Sequence, residues 1–538
     1  MKAIKPAIIH IFQILAFLAV PLFVYLFIVN SSLASIGPEV THYVPSDEET
    51  NYLTALSVYR GEGLYKNFSI SYPPGRFIAQ ALFFRLTAPT VVSARIYMNL
   101  FAPLLFPTLL FFLTYRLLRT LKLGFLPAYL LGWLALLFDL TLVHSAQEVH
   151  VLIAAFGLIL LSSLRRRHFF LGLFLGLIFL FRFEAGIIVT LSLLLSCRTI
   201  PTRQSIFGFL VVWLPVIINL LVYGTLFNFF YDTIILGLIT QPRAMGQAIP
   251  PNALWFVFLS SLIAVFGFAL SLATSPNKSI RVFAGVALLS YVSALGRSDE
   301  GHLWYALLWL PLLTSYAITQ LGRIRIIPTL FIGIILFLIC YLVIIAKSPA
   351  LFLLVGSLLL ILAPRYGKFS REFALAGLLT SLLVFHSFAY FTLRFQIPRY
   401  IGALAHPWTQ DSVPDSIAGL DFPPSTTATL SQIQSAITDS SPSLFIFPEN
   451  TIYYEYFGLP RPTRYLYLTG ERTAKTESEI IANLESASNL YILVFPVKAA
   501  QRGGDIWSWI ESHTKSITTA PYQSTIVELR QTILTTSN

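Results

Sequence analysis

The chain is poor in charge. Only 11% of its 538 residues are Asp, Glu, Lys or Arg, against 56% that are hydrophobic. Soluble domains carry roughly 25% charge, so this scarcity excludes an ordinary water-soluble globule. Cysteine is scarce as well. Cys197 and Cys340 lie in or beside apolar segments far apart in the sequence, which excludes a disulfide framework. They read as unpaired and say nothing about the redox compartment. Repeats and low-complexity tracts are missing. No soluble stretch clusters basic with aromatic residues, so nucleic acid is not an expected partner.

What is abundant is apolar sequence. Apolar segments run over about 7–29, 97–115, 125–143, 149–164, 169–183, 185–197, 205–223, 252–274, 282–296, 303–321, 326–346, 349–363 and 373–393. Several fall short of the ~20 residues that cross a bilayer as a helix, so a re-entrant pair is an alternative for some. The first is too long for a signal peptide and is expected to remain as a span. The 45 Phe and 25 Tyr suit a membrane core and its interfacial belts.

The net charge of +11 points to cytoplasmic loops. With the N-terminus in the cytoplasm, alternate loops carry Arg116/Arg119/Lys122, Arg165-Arg166-Arg167, Arg198/Arg203, Lys278/Arg281, Arg323/Arg325 and Arg365/Lys368/Arg371. After the first, the opposite loops hold the single bases Arg182, Arg243, Arg297 and Lys347. About thirteen spans result, with the C-terminus outside. The expected fold class is a polytopic α-helical membrane protein, residues 1–393, with an outer loop over 30–96. From about Arg394 the composition turns polar, and a small extracytoplasmic α/β domain is expected over 394–538. Within it 444–447, 491–495 and 523–529 read as strands, and 478–486 and 505–512 as helices.

This topology gathers the polar residues on the outer side. The first outer loop holds Asp47-Glu48-Glu49, Arg60-Gly61-Glu62-Gly63 and Ser71-Tyr72-Pro73-Pro74-Gly75-Arg76. Later outer turns hold His144 to His150, Arg182-Phe183-Glu184, Asp232 with Arg243, and Arg297-Ser298-Asp299-Glu300-Gly301-His302. Three adjacent carboxylates are costly to bury in lipid. They start a helix, or form the reacting end of a site, or both. Ser46-x-x-Glu49 is a capping box, acids in a first turn suit the helix dipole, and Gly61 is a stop. Tyr52, Leu53, Leu56 and Tyr59 then supply one apolar face for an interfacial helix. His144 and Glu148 share a helix face, and with His150 they make either a divalent metal site or a polar turn. Arg182/Glu184 and Arg297/Asp299 read as ion pairs at the membrane edge or as parts of a site, with His302 beside the second pair. Asn67-Phe68-Ser69 is a sequon on the outer side.

These residues resemble a family. An early Asp-Glu in a long outer loop, interfacial helices around a Tyr-Pro-Pro-Gly break, many spans and an outer C-terminal domain resemble GT-C membrane glycosyltransferases. The bacterial protein O-mannosyltransferase and aminoarabinose-transferase branch is the most similar in pattern. Arg297-Ser298-Asp299-Glu300-Gly301-His302 resembles a motif of that branch. So does the tail segment Phe447-Pro448-Glu449-Asn450-Thr451-Ile452-Tyr453-Tyr454 followed by Pro462-Thr463-Arg464-Tyr465. Asp-Glu-Glu and a short tail depart from its better-known members.

The resemblance implies transfer of a sugar from a polyprenyl-phosphate donor to a lipid, glycan or protein acceptor on the outer membrane face. It implies an inverting displacement with Asp47 as catalytic base and Glu48 as supporting acid. Arg76, Tyr72, Arg297, Asp299, His302 and Arg182 are the substrate- and phosphate-binding candidates. No cofactor is required by this chemistry, and a divalent metal held by His144, Glu148 and His150 stays open. A membrane transporter, a lipid-linked glycan flippase or a ligase is the alternative. Few mid-span charges and no internal repeat speak for the enzyme.

Overall fold

The computed structural model describes residues 13–26, 46–98, 102–140, 147–197, 202–240, 266–267, 270, 278–295, 308–320, 424–448, 451–466, 473–502, 504–522 and 525–533. The helices among them begin with α1 (Gln13–Leu26), α2 (Ser46–Tyr59), α3 (Gly75–Leu86), α4 (Ala102–Thr120), α5 (Phe125–Leu140), α6 (Glu148–Leu160), α7 (Arg167–Phe181), α8 (Phe183–Cys197) and α9 (Arg203–Val222). After them come α10 (Leu226–Phe230), α11 (Lys278–Leu295) and α12 (Leu310–Gln320). The tail holds α13 (Pro424–Ser435), β1 (Ser443–Phe447), α14 (Ala474–Ser486), β2 (Leu490–Val494), α15 (Gly504–His513), β3 (Thr514–Tyr522) and β4 (Thr525–Thr532). The apolar segments over 326–346, 349–363 and 373–393 lie outside the described residues, as does most of 252–274.

The chain divides into two compact units. One comprises Met1–Leu33, Met98–Trp213 and Gly246–Gly402. The other comprises Ala34–Tyr97, Leu214–Met245 and Ala403–Asn538.

Aromatic packing builds much of the first unit. Phe17 of α1 meets Tyr115 of α4 at 5.1 Å and Tyr129 of α5 at 5.9 Å between ring centroids. The Tyr129 hydroxyl donates to the Ala16 carbonyl at 2.9 Å, so its polar end is satisfied inside an apolar cluster. Trp309 packs against Phe106 of α4 and Phe283 of α11 at 5.6 and 5.5 Å.

Helix α7 carries Gly172 and Gly176 four apart, and this face meets Ser205, Phe209 and Val212 of α9. A methyl group on Gly172 would run into the Ser205 carbonyl oxygen, so the backbones touch where a side chain would stand. The Trp213 indole seals the contact by donating to the Gly176 carbonyl at 3.1 Å.

Helix α9 is, among the described residues, the one both long and apolar enough to cross a membrane. Gln13–Leu26, Phe125–Leu136, Glu148–Leu160, Arg167–Phe181 and Phe183–Ser196 are apolar but shorter. Along α9, Phe207, Leu210, Leu214, Ile218 and Leu221 are exposed at helical spacing. A stripe of that size is a liability in water and a lipid-facing side in a bilayer.

In the second unit the tail forms a four-stranded sheet of order β1-β2-β4-β3. β1 and β2 are parallel, and β4 runs antiparallel to both β2 and β3. Phe445, Phe447, Ile492 and Val494 face Ile480 and Leu484 of α14 and Ile506, Trp509 and Ile510 of α15. Leu444, Ile446, Tyr491 and Leu493 are buried too, so the central strands are covered on both faces, as unbroken apolar runs require. The strands read over 444–447, 491–495 and 523–529 are present within a residue or a few of those bounds. β3 is an addition that the sequence did not announce.

The stretch after α9, read as an outer turn around Asp232, is helical: α10 runs on in wider, π-type turns over Tyr231–Thr240. The partner of Asp232 lies far along the chain.

Candidate active site

The site is built on α2. Its first turn carries Ser46, Asp47, Glu48 and Glu49, where the exposed amides and the helix dipole favour acids. The side chains of these four residues lie outside the described ones. The helix ends at Tyr59, and Gly61 turns the chain with φ of 82°, a conformation that suits glycine. This is the stop that the sequence indicated.

The apolar face of α2 is there, but a one-sided interfacial helix is not. Every residue from Thr50 to Ser57 is buried. Among the polar ones, the Thr54 hydroxyl is met locally and donates to the Thr50 carbonyl at 2.7 Å. The Tyr52 hydroxyl reaches the Pro89 carbonyl at 3.0 Å, and the Tyr52 ring packs on Phe84 of α3. Burial comes first in pushing the Tyr52 hydroxyl above its usual pKa, with the Glu455 charge adding to it.

The loop from α2 to α3 is held by the same unit. The Tyr65 hydroxyl donates to the Tyr72 carbonyl at 2.6 Å, which fixes the entry to the Pro73-Pro74 turn. Asn228 donates to the Tyr65 carbonyl at 3.2 Å, and Phe229 packs on the Tyr65 ring at 5.3 Å. Tyr72 and Arg76 stand at the start of α3, both half-buried. One turn further, Gln80 is fully buried, and neither polar atom of its side chain has a hydrogen-bond partner among the described residues. Arg76 and Gln80, four apart, share a face of α3. Gln80 was not singled out from the sequence. Only its spacing from Arg76 could have marked it.

Two ion pairs tie the tail to this region. Arg60, just past α2, grips Glu455 with two hydrogen bonds of 3.1 and 2.9 Å. Arg464 grips Asp232 at 2.7 and 3.3 Å and also reaches Glu479 at 3.3 Å. The Ser69 amide donates to the Arg464 carbonyl at 2.8 Å. Asp232 lies between the apolar segments 205–223 and 252–274, outside both. Burial pushes its carboxyl up to about 6, although Arg464 pulls the other way. Burial also opposes the charge on Arg464, but the Asp232 carboxylate outweighs it and the guanidinium is held above its usual range. Arg464 lies within the Pro462-Thr463-Arg464-Tyr465 motif, whereas its partnership with Asp232 left no local trace.

The other candidates fall elsewhere. Arg182, in the first unit, donates to the Gln147 side chain at 2.8 Å and pairs with Glu184 at 3.5 Å, which is the ion pair read from the sequence. Glu148 and His150 are buried in the first turn of α6. His150 Nδ1 accepts from the Gln147 amide at 3.0 Å, closing a helix cap. His144, Arg297, Asp299 and His302 lie outside the described residues. Among the described residues no three His, Cys, Asp or Glu group together as a metal site. A divalent metal on His144, Glu148 and His150 would thus need a ligand from outside these residues.

No protein-family model matches the sequence, and no curated protein matches it. Among solved structures, ArnT from Cupriavidus metallidurans bound to undecaprenyl phosphate is similar over 96% of this chain and 98% of its own, at TM-score 0.53 and 13% identity. The chain has the ArnT fold. The apo state of ArnT covers 97% of this chain and 98% of its own at TM-score 0.49 and 13% identity. At that identity the likeness is one of fold.

Proposed function

We propose that the chain is a GT-C-type glycosyltransferase. It moves a sugar from a polyprenyl-phosphate donor to an acceptor on the outer face of the membrane. The observation that carries this reading is the likeness, over nearly the whole chain, to a structure of ArnT that is bound to undecaprenyl phosphate. The Asp47-Glu48 pair in the first turn of a buried helix supports it.

The chemistry asks little beyond these groups. An acceptor hydroxyl attacks the anomeric carbon and its proton passes to the Asp47 carboxylate. The bond from that carbon to the phosphate oxygen breaks, and its electron pair leaves with the polyprenyl phosphate. Glu48 orients the acceptor. Charge grows on the departing phosphate, so cations beside it stabilise the transition state. Arg76 and Arg297 suit this role because a guanidinium can give a phosphate two parallel hydrogen bonds. His302, Tyr72 and Asp299 are the further candidates for the donor site, as is Arg182, already committed to Gln147 and Glu184. About thirteen spans, an N-terminus in the cytoplasm and an extracytoplasmic tail from about residue 394 belong to the same reading.

A single displacement inverts the anomeric centre. The product of a purified reaction is therefore expected to carry the configuration opposite to the donor, read from its anomeric proton coupling. Retention would point to a covalent intermediate and remove Asp47 from the role of base.

A further inference from the structure

A cleft of about 810 Å³ opens in the second unit, within the range of small-ligand sites. It runs along the C-terminal half of α2, from Leu53, and between the loop that follows and the Pro460-Arg461-Pro462 segment of the tail. Its lining mixes the cations Arg60, Lys66, Arg461 and Arg464 with the carboxylates Glu62, Glu455 and Glu479. Arg60 and Arg464 are committed to carboxylates. Lys66 and Arg461 are not. Among the described residues each meets a ring face instead, Lys66 that of Tyr223 at 5.7 Å and Arg461 that of Tyr454 at 5.8 Å. Arg461 Nη1 and Glu62 Oε2 are buried with no hydrogen-bond partner among the described residues.

Two uncommitted cations call for an anion. Glu62, Glu479, Asn67, Asn483 and Thr463 in the same lining call for hydroxyl groups, which can donate to carboxylates and accept from amides. A simple phosphate or an acidic peptide would not use that mixture. The Asp47-Glu48 pair is at the N-terminal end of α2, and the cations of the cleft lie at or past its C-terminal end. Arg60 lies thirteen residues beyond Asp47, about 20 Å along the helix at 1.5 Å per residue. The ligand in the cleft is therefore not the group that reacts.

We propose that this cleft binds a remote, acidic carbohydrate portion of an extended acceptor, with Lys66 and Arg461 on its anionic groups and Glu62 on its hydroxyls. The identity of the ligand as acceptor rests on the glycosyl-transfer reading.

Binding is measured by equilibrium dialysis on the full chain in lipid nanodiscs, with trigalacturonate, neutral maltotriose and inorganic phosphate as probes. Trigalacturonate is expected to bind about tenfold or more tightly than either other probe, the scale of one charge-assisted hydrogen bond. Lys66→Gln and Arg461→Gln should each remove about that factor. Lys66 is exposed, so its variant is expected to fold as wild type does. Equal binding of acidic and neutral trisaccharides, equal binding of phosphate, or wild-type affinity in both variants would overturn the proposal. The readout needs no turnover. Trisaccharide binding without sugar transfer sinks the transferase reading and keeps the cleft, and transfer without binding does the reverse.

Discussion

Asp47→Asn is expected to lower sugar transfer by about 10²- to 10⁴-fold, the range supplied by a general base, while the protein still inserts and binds donor. Asparagine keeps the shape and can hold an acceptor hydroxyl, but it cannot take the proton. The loss should therefore fall on kcat rather than on KM. The helix argues for selectivity within the acidic cluster. Glu49 is placed to serve the helix start as well as, or instead of, the reaction. Glu48→Gln is expected to cost less than Asp47→Asn if Glu48 only orients the acceptor. Single-turnover transfer from a radiolabelled polyprenyl-phosphate sugar separates these cases. Wild-type turnover in Asp47→Asn would remove that residue from the mechanism.

The second large effect is on stability. Arg464 and Asp232 are nearly or fully buried, with side-chain exposures of 10% and 0%. Removing one partner leaves the other as a buried charge, and Arg464→Ala is expected to cost about 3–5 kcal/mol. The sign with pH follows from Asp232. Its folded pKa of about 6 already lies above the unfolded value, and loss of Arg464 raises it further. The folded variant then holds a proton that the unfolded chain has released. Its stability falls as pH rises through the interval between those two values. Denaturant unfolding in detergent should therefore find Arg464→Ala weaker at pH 8 than at pH 6. A double change, Arg464→Met with Asp232→Asn, removes both charges and is expected to recover much of the loss. An Arg464→Ala protein as stable as wild type at pH 8 would show that the pair is not buried as a charge pair.

Some of this architecture could be read along the chain because its cause is local. The acids that start α2 and the Gly61 that stops it act within one turn. β1 and β2 were legible because strands covered on both faces are unbroken apolar runs. β3 was not. It is an edge strand whose residues are largely exposed, and TKSITTAPY shows neither an apolar run nor a clean alternation. The helix around Asp232 was missed because the residue that neutralises its acid comes 232 positions later. The burial of Thr50 to Ser57 on every side of α2 was also missed. Thr54 satisfies its hydroxyl within the helix and so looks exposed in sequence. Around the candidate site, Asp47 and Arg76 could be singled out by residue type and by their place in the long first loop. The clasp of Arg60 on Glu455 and the burial of the Gln80 amide without a partner among the described residues come from tertiary packing alone.

The central claim is that this chain breaks a sugar–phosphate bond. The direct test reconstitutes the protein in vesicles with a fluorescent polyprenyl-phosphate hexose and an envelope extract as acceptor, and follows both the lipid and the sugar. The account predicts that free polyprenyl phosphate appears in step with sugar on the acceptor, and that neither appears with Asp47→Asn. Donor that crosses to the other leaflet intact, with no polyprenyl phosphate released, would contradict it and identify a transporter instead.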